Sequence, residues 1–431
     1  MKVTIIAGGS RGDVEPYLAL GQGLARAGYR VNVVTHENFD ELVAARGLDL
    51  VPVAGDTGEV AAAMADQIEG GSFVSVMRKM AGAAEQAAVA MSQGALGGSE
   101  GAGMVLAGLG GLFTAAAVAE KRGIPFIQAY YIPFTPTAAA PSFLAAGKPL
   151  PSAGPVNRLT YTLARQAIWQ GMRGADARAR REVFGLAPSP RSGPWGSLRR
   201  RGEPVLYGYS PAVIPPPPDW GPENHVTGYW FPEPDPAWRP PPGLAAFLES
   251  GPPPVFVGFG SMPGRDREGA AAKVLEALSL AGQRGVILES SAMGGRGLPD
   301  SVYAIDRAPY EWLFPRMAAV VHHGGAGTTG SGLRAGVPSI VVPFFADQPF
   351  WGMRVHALGA GPEPLPRKQL TAVALAGRIR QAVEDREMRR RAASLGEAIR
   401  REDGVGNAVA LIREYLHGLG ERNAGAWASA G

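Results

Sequence analysis

The sequence contains no cysteine, which excludes disulfides, thiol nucleophiles and thiolate metal sites. Histidine is also scarce, with 6 among 431 residues, so few imidazoles are available for metal binding or base catalysis. Neither sign of charge is in large excess, since Lys and Arg number 42 against 38 for Asp and Glu, a net charge of +4. So small an excess does not form the basic footprint of a nucleic-acid-binding protein. We therefore expect no nucleic-acid partner.

Long hydrophobic runs of the kind that cross a membrane are missing too. One uncharged stretch lies between Glu100 and Glu120, but three glycines near its centre interrupt it. We predict a buried strand at 104–109 followed by a helix at 112–121 instead of a membrane span. The apolar run at residues 2–7 is too short for a signal peptide. The expected location is therefore cytoplasmic.

Two stretches far apart in the chain share one pattern, which is an apolar strand, a glycine-rich turn, a helix and a second strand. This order is typical of a βαβ unit in a parallel sheet. A chain of 431 residues is also too long for a single core. We predict an α/β protein with two Rossmann-like, doubly wound domains that face each other across a cleft. The predicted elements are strands at 2–7, 31–35, 254–257 and 286–289, turns at 8–13 and 258–261, and helices at 17–27 and 270–281.

A proline-rich segment separates the two patterns. Residues 215–218 are four consecutive prolines, and residues 231–242 contain six more. Proline fixes φ and removes a hydrogen-bond donor, so this composition favours a stiff, extended connector. We predict a first domain over residues 1–215, a linker over 216–243 and a second domain over 244–400. Over 401–431 we expect a carboxy-terminal helix that packs back on the first domain, followed by a tail.

Two long segments of the first half, residues 56–93 and 158–184, are predicted to be helical. Helical insertions that contain methionine and aromatic residues often line an adaptable apolar cleft. Phe134 and Phe143, which lie in proline-rich loops, would add to such a cleft. An ordinary hydrophobic core explains the same composition, and the pattern alone leaves both explanations open.

The most informative stretch covers residues 320–329 and reads VVHHGGAGTT. A predicted strand ends in His322 and His323, and three glycines in the next four positions open a helix. Glycine lets a ligand approach the backbone, and free N–H groups at a helix N-terminus stabilise phosphate. The motif therefore predicts a diphosphate site. Adjacent strand residues point to opposite faces, so we do not expect the two histidines to share a metal ion.

A second motif follows a predicted strand at 339–342 and reads PFFADQPFWG over residues 343–352. Its Asp347 and Gln348 offer a carboxylate and an amide to sugar hydroxyls. Together with the turn GGSRGDVEP at residues 8–16, these motifs resemble the inverting glycosyltransferases of the GT-B fold, which use nucleoside-diphosphate sugars. They are most similar to the branch that contains bacterial antibiotic and macrolide glycosyltransferases and sterol glucosyltransferases.

The resemblance implies a set of donor-binding residues, with His323 and the following backbone on the diphosphate. Plant members of the family have Trp in place of Arg307 and Glu in place of Ser331. These two differences leave open the choice between a UDP-sugar and a TDP-sugar. The implied donor-binding residues are Ser10, Arg11, Gly12, Ser261, Arg307, Ala308, His323, Gly325, Ala326, Gly327, Thr328, Asp347 and Gln348.

The candidate general base is Asp13, because the only histidine before residue 225 is His36. Asp13 stands at the start of a predicted helix and resembles the aspartate of the antibiotic and sterol branch. A carboxylate can accept the proton as the new C–O bond forms. Capping of the helix explains the same position, and Glu15 and His36 are the other candidates for the base.

These features predict an inverting glycosyltransferase that moves a sugar from a TDP-deoxysugar or UDP-glucose type of donor to a hydroxyl of a lipophilic aglycone, such as a polyketide, macrolide or sterol. No metal and no cofactor beyond the nucleotide sugar are expected, and the protein would be a monomer or a homodimer. Two alternatives are an inactive aglycone-binding or activating partner of another transferase and a sugar-nucleotide epimerase on the same fold. A dinucleotide oxidoreductase is disfavoured, because neither glycine turn reads GxGxxG with an acidic residue about 20 positions later.

Overall fold

The computed structural model describes residues 1–55, 73–146, 153–234, 236–259, 267–288 and 297–428. Two parallel β-sheets packed between helices organise these residues. The predicted α/β fold with two doubly wound domains is confirmed. The predicted helical segment at 56–93 lies partly outside the described residues.

The first sheet has seven strands in the described part of the chain, in the order β3-β2-β1-β4-β5-β6-β7. Core side chains cover both of its faces, which explains why its central strands are apolar along their length. Its strands are β1 (Lys2–Ile6), β2 (Arg30–His36), β3 (Asp49–Val53), β4 (Ala102–Ala107), β5 (Phe126–Tyr130), β6 (Val205–Tyr207) and β7 (Asn224–Val226). Its helices are α1 (Arg11–Arg26), α2 (Asp40–Ala44), α3 (Phe73–Gly98), α4 (Leu112–Arg122), α5 (Gly154–Ala179) and α6 (Trp195–Arg201).

The second sheet has five parallel strands among the described residues, in the order β10-β9-β8-β11-β12. Its strands are β8 (Val255–Gly258), β9 (Gly285–Leu288), β10 (Val302–Ile305), β11 (Ala319–His322) and β12 (Ser339–Val341). The helices that follow the linker are α7 (Pro242–Glu249), α8 (Arg267–Leu280), α9 (Tyr310–Leu313), α10 (Ala326–Ala335), α11 (Gln348–Ala357), α12 (Ala372–Glu384), α13 (Arg386–Arg400) and α14 (Gly404–Ala428).

The uncharged stretch after Glu100 forms a strand and a helix, as predicted, since β4 and α4 occupy it. Within the described ranges, we find no helix with both the length and the apolar character needed to cross a membrane. The aromatic side chains that we expected in an acceptor cleft are packed in the core, because Phe134 is 1% exposed and Phe143 is 6% exposed.

Helix α1 begins at Arg11, six residues before the start that we predicted at residue 17. The reason is the residue in front of it. Ser10 has extended backbone angles, and its N–H donates to the carboxylate of Asp13. This contact satisfies an N–H at the helix start and lets the helix grow directly from the glycine turn.

Part of the segment 216–243, which we expected to be an extended linker, belongs to the first sheet. Residues Asn224–Val226 form β7, which pairs in parallel with β6. Trp220 stacks on Tyr207 with ring centroids 4.6 Å apart, and Trp230 is buried in the core on the other face of the sheet. These contacts fix much of the proline-rich segment against the first domain.

Helix α14 returns to the first domain and packs along α1. Its residues Ala408, Val409 and Ile412 are buried together with Leu20 and Leu24 of α1. The helix begins where the chain crosses the linker backbone. A Cβ added at Gly404 would lie 2.3 Å from the carbonyl oxygen of Tyr229, so only glycine fits at this crossing.

We expect Gly404→Ala to lower the free energy of unfolding by about 1–3 kcal/mol, because the added methyl would meet backbone that cannot move aside. Gly420→Ala is the matched control on the same helix, since open space surrounds a Cβ at that position. Alanine is the better helix former, so the control should keep or raise stability. Thermal and urea unfolding of both variants measure the contrast, and equal stabilities would show that the crossing is not tight.

Candidate active site

The carboxylate of Asp13 lies in the first turn of α1, at the carboxyl edge of the first sheet. Its Oδ2 accepts hydrogen bonds from the backbone N–H and the hydroxyl of Ser10, both at 2.7 Å. Gly9 precedes this contact with φ of +125°, and a Cβ there would lie 2.6 Å from the same oxygen. Capping of the helix thus uses one oxygen of Asp13. The other oxygen, Oδ1, accepts a hydrogen bond from the hydroxyl of Tyr131, which follows β5.

The other candidate residues near this turn are Arg11, Gly12, Glu15 and His36. Arg11 and Glu15 form an ion pair one helical turn apart, with 2.7 Å between Nη2 and Oε1. The carboxylate of Glu15 is therefore engaged with a cation on the same helix. Gly12 is exposed. His36 ends β2 on the same edge of the sheet, and its Nδ1 is buried with no partner among the described residues.

The phosphate motif forms a strand, a tight turn and a helix, as predicted. β11 ends at His322, and Gly325 is the N-cap of α10 with extended backbone angles. The first N–H groups of a helix have no intrahelical partner, so those of Ala326, Gly327 and Thr328 are available to a ligand. The dipole of α10 adds partial positive charge at the same point. This end of the helix can therefore hold a diphosphate.

His323 stands beside this turn with its ring against the backbone. A Cβ at Gly325 would lie 2.5 Å from Nε2 of His323, so the ring is in close contact with the start of α10. Burial lowers the pKa of His323 to about 4. The imidazole is therefore neutral at pH 7 and offers a single N–H donor.

His322 has a structural role in the same turn. It is fully buried, and its Nδ1 accepts a hydrogen bond of 3.1 Å from the N–H of Gly324. Burial lowers its pKa to about 3, with the neighbouring His323 adding to the shift. The two rings lie at 88° to each other with centroids 6.5 Å apart, which fits side chains on opposite faces of a strand. Within the described ranges, no group of three or more His, Asp or Glu side chains is placed to hold a metal ion.

Asp347 and Gln348 stand at the start of α11 and differ in their environments. The side-chain carbonyl of Gln348 accepts hydrogen bonds from the N–H groups of Phe344 at 2.8 Å and Phe345 at 3.1 Å. Gln348 therefore stabilises the turn that presents Asp347. Ala346 in that turn has φ of +56°, an unfavourable backbone conformation for a residue with a Cβ.

The carboxylate of Asp347 is partly buried, and its Oδ2 accepts a 3.0 Å hydrogen bond from the indole N–H of Trp351. Burial, with a smaller contribution from the charge of Asp13, raises the pKa of Asp347 to about 6, whereas the backbone N–H of Asp347 and the Trp351 bond oppose the shift. Asp13 belongs to the first domain and Asp347 to the second. The charge of Asp13 thus acts on Asp347 from the other domain, and α1 contacts α10 of the second domain.

Tyr310 of the second domain lies beside the phosphate turn and near charged groups of the first domain. The hydroxyl of Tyr310, at the start of α9, shares a hydrogen bond with the side chain of Thr328. Burial raises the pKa of Tyr310 to about 12, the charge of Glu15 adds to the shift, and Arg11 and the bond to Thr328 oppose it. The first turn of α1 therefore faces the first turn of α10.

The remaining donor residues predicted from the sequence lie near β10 or outside the described residues. Arg307 is exposed just after β10. Ala308 is buried, and its methyl packs in the core of the second domain, so only its backbone could contact a ligand. Ser261 lies outside the described residues.

Sequence reasoning missed Tyr131, Tyr310 and Trp351. Tyr131 stands 118 positions from Asp13, and the hydrogen bond between them follows only from the sheet order that places β5 next to β4 and β4 next to β1. One available signal was the position of Tyr131 directly after a strand, because residues at the carboxyl ends of parallel strands meet in the ligand cleft.

Two family domains match the chain. Residues 3–141 match the glycosyltransferase family 28 N-terminal domain, and residues 277–403 match the erythromycin biosynthesis protein CIII-like, C-terminal domain. O-mycaminosyltylonolide 6-deoxyallosyltransferase from Streptomyces fradiae is 37% identical over 420 residues, which cover 96% of this chain and 97% of that protein. The chain belongs to this glycosyltransferase family.

Sterol glucosyltransferases are relatives of similar identity. Sterol 3-beta-glucosyltransferase UGT80A2 from Arabidopsis thaliana is 36% identical over 439 residues, which cover 96% of this chain. The chain spans 66% of the length of UGT80A2 and 27% of the length of a sterol 3-beta-glucosyltransferase from Cryptococcus neoformans, which is 34% identical. The predicted resemblance to the antibiotic and sterol branch is confirmed.

Solved structures of other glycosyltransferases share the fold. The glycosyltransferase SsfS6 from Streptomyces sp. SF2575 matches with a TM-score of 0.62 at 22% identity, over 96% of this chain and 99% of that one. A structure of SsfS6 complexed with thymidine diphosphate matches with a TM-score of 0.60 at 20% identity, over the same shares of the two chains. At these identities the likeness establishes the architecture.

The pKa of Asp347 predicts how donor binding depends on pH. Below pH 6 this carboxyl becomes protonated and loses an acceptor for a sugar hydroxyl, so affinity for a nucleotide sugar should fall as the pH drops from 7.5 to 5. Asp347→Asn cannot titrate, so the ratio of wild-type to Asp347→Asn affinity for UDP-glucose or a TDP-sugar should decrease several-fold over this range. Calorimetry measures both proteins, and a constant ratio would show that Asp347 does not bind the sugar as a carboxylate.

Proposed function

We propose that this family member transfers a sugar from a nucleoside-diphosphate sugar to a hydroxyl group of a lipophilic aglycone, with inversion at the anomeric carbon. The diphosphate binds the N-terminus of α10 and His323, and the sugar lies beside Asp347. The acceptor binds the first domain, where Asp13 serves as the general base. The observation that carries the proposal is the contact between α1, which bears Asp13, and α10, whose N-terminus forms the phosphate turn.

The reaction follows from this arrangement. The oxygen of the acceptor hydroxyl attacks the anomeric carbon from the face opposite the diphosphate, while the bond from that carbon to the β-phosphate oxygen breaks. Asp13 takes the proton of the hydroxyl as the new C–O bond forms. The N–H groups of α10 and the neutral imidazole of His323 stabilise the charge that develops on the departing diphosphate. No step requires a metal ion.

The nucleotide-sugar donor and the lipophilic acceptor are each supported by a separate observation. Thymidine diphosphate in SsfS6 and the deoxyallosyl transfer named for the Streptomyces fradiae relative favour a TDP-sugar, whereas the sterol glucosyltransferases favour UDP-glucose. Exposed apolar side chains at the rim of the cleft support an apolar acceptor. The 3₁₀ turn Phe143–Ala145 contacts α11, and Leu144 and Met353 on these two elements are 37% and 38% exposed.

Donor hydrolysis tests the transferase assignment without knowledge of the acceptor. A glycosyltransferase of this kind should slowly release nucleoside diphosphate from UDP-glucose or a TDP-sugar when water replaces the acceptor. The release should persist after exhaustive chelation, because the diphosphate is stabilised by backbone N–H groups and His323. A protein that binds these donors but releases no diphosphate would instead be an inactive partner of another transferase. Activity that disappears on chelation and returns with magnesium or manganese would contradict the proposed phosphate site.

A further inference from the structure

Tyr131 contacts Oδ1 of Asp13, the oxygen of the proposed base that Ser10 does not use. Its hydroxyl donates to Oδ1 of Asp13, whereas Ser10 occupies Oδ2. The carboxylate is thus held from two sides, by its own helix and by the loop after β5. A carboxylate fixed only by Ser10 could rotate about its Cβ–Cγ bond and turn Oδ1 away from the cleft.

The phenol of Tyr131 is itself fixed in place. Its ring packs edge-on against Tyr17, with centroids 6.3 Å apart. Tyr17 is 3% exposed, and its hydroxyl donates to the carbonyl of Ala129 in β5 at 2.8 Å. Tyr131 therefore reaches Asp13 from a rigid support at the end of a central strand.

We propose that Tyr131 is a positioning residue for catalysis, which orients Oδ1 of Asp13 toward the acceptor hydroxyl. The proposal rests on the proposed function, because it assigns Tyr131 a role only through Asp13. An oxygen of a carboxylate has more than one lone pair, so Oδ1 can keep the bond from Tyr131 while it accepts the proton of the acceptor.

The electrostatics keep Tyr131 in the role of donor. Burial raises the pKa of Tyr131 well above its ordinary value, and the charge of Asp13 and the hydrogen bond to it add to the shift. The phenol therefore stays protonated over the working range of pH. The other titratable groups that face Asp13 are Tyr17 on α1, whose pKa is also raised by burial, and Asp347 from the second domain.

Tyr131→Phe removes the hydroxyl and keeps the ring. We expect kcat on an alcohol acceptor to fall about 10-fold to 100-fold, the value of one hydrogen bond to a charged group. The KM for the donor and the thermal midpoint should stay close to those of the wild type. Tyr130→Phe is the matched control, because it removes the hydroxyl of the preceding residue, which donates to Gln128 and not to Asp13, and it should leave kcat unchanged.

A double-mutant cycle with Asp13→Asn separates the role of Tyr131 from the role of Asp13 as the base. If Tyr131 acts through Asp13, Tyr131→Phe has no further effect on kcat in the Asp13→Asn background. The same fold-loss in both backgrounds would overturn the role of Tyr131 and leave Asp13 as the base. A Tyr131→Phe enzyme with more than half of wild-type kcat would overturn it as well. A fully active Asp13→Asn single variant would contradict the proposed function itself, and with it the role of Tyr131.

Discussion

Asp13→Asn is expected to reduce turnover on an alcohol acceptor by about 10²–10⁴-fold, the usual contribution of a positioned general base. The asparagine keeps the shape of the side chain, and its carbonyl can still accept from the N–H of Ser10, so helix α1 should keep its cap. What is lost is the oxygen that takes the proton. Affinity for the nucleotide should hardly change, because the proposed diphosphate site lies in the second domain.

Asp13 caps its helix and also accepts a hydrogen bond from Tyr131, so the test must distinguish capping from base catalysis. If capping were its only role, Asp13→Asn would be nearly normal, and Asp13→Ala would lose about 1 kcal/mol of stability while still turning over. Glu15→Gln is the matched control, because Glu15 is paired with Arg11 on the same helix. Turnover above half of the wild-type value in Asp13→Asn would move the search for the base to Glu15 and His36.

His323→Ala is expected to weaken nucleoside diphosphate binding by about 10-fold to 100-fold, which corresponds to roughly 1.5–3 kcal/mol for a hydrogen bond to a charged group. Burial leaves the imidazole neutral at pH 7, so the charge in this bond belongs to the phosphate. Isothermal titration calorimetry with UDP and TDP measures the loss.

Two further variants separate binding from folding at this site. His323→Gln keeps a side-chain N–H donor and should recover part of the affinity. His36→Ala removes a histidine at the end of β2 in the other domain and should leave affinity unchanged. A folded His323→Ala protein with wild-type affinity would exclude His323 from the diphosphate site.

Local patterns were sufficient for the elements that position the site. The strand, glycine turn and helix around residues 320–329 follow from glycine geometry and from the free N–H groups at a helix start, and β11 and α10 confirm that prediction. The start of α1 was placed too late. The contact of Ser10 with Asp13 is itself a local signal, since a serine followed three residues later by an acidic residue is a capping pattern.

Other features depend on distant parts of the chain. β7 is three residues long and lies between prolines, and it forms because the edge of β6 is available for pairing. The bond from Tyr131 to Asp13 depends on sheet order, and the raised pKa of Asp347 depends on burial and on a carboxylate from the other domain. The binding of sugar hydroxyls by Gln348 stays a prediction, and the structure adds that its side-chain carbonyl holds the turn before α11. None of these can be derived from composition or spacing.

The anomeric configuration of the product reports whether the sugar is transferred with inversion. Proton NMR of the glycoside, or of the free sugar formed in the first turnovers of donor hydrolysis, identifies the anomer before mutarotation mixes the two forms. Attack from the face opposite the diphosphate, with Asp13 as the base, predicts a β-linked product from an α-linked donor such as UDP-glucose. An α-linked product would require a different arrangement of nucleophile and leaving group, and would contradict this account of the cleft.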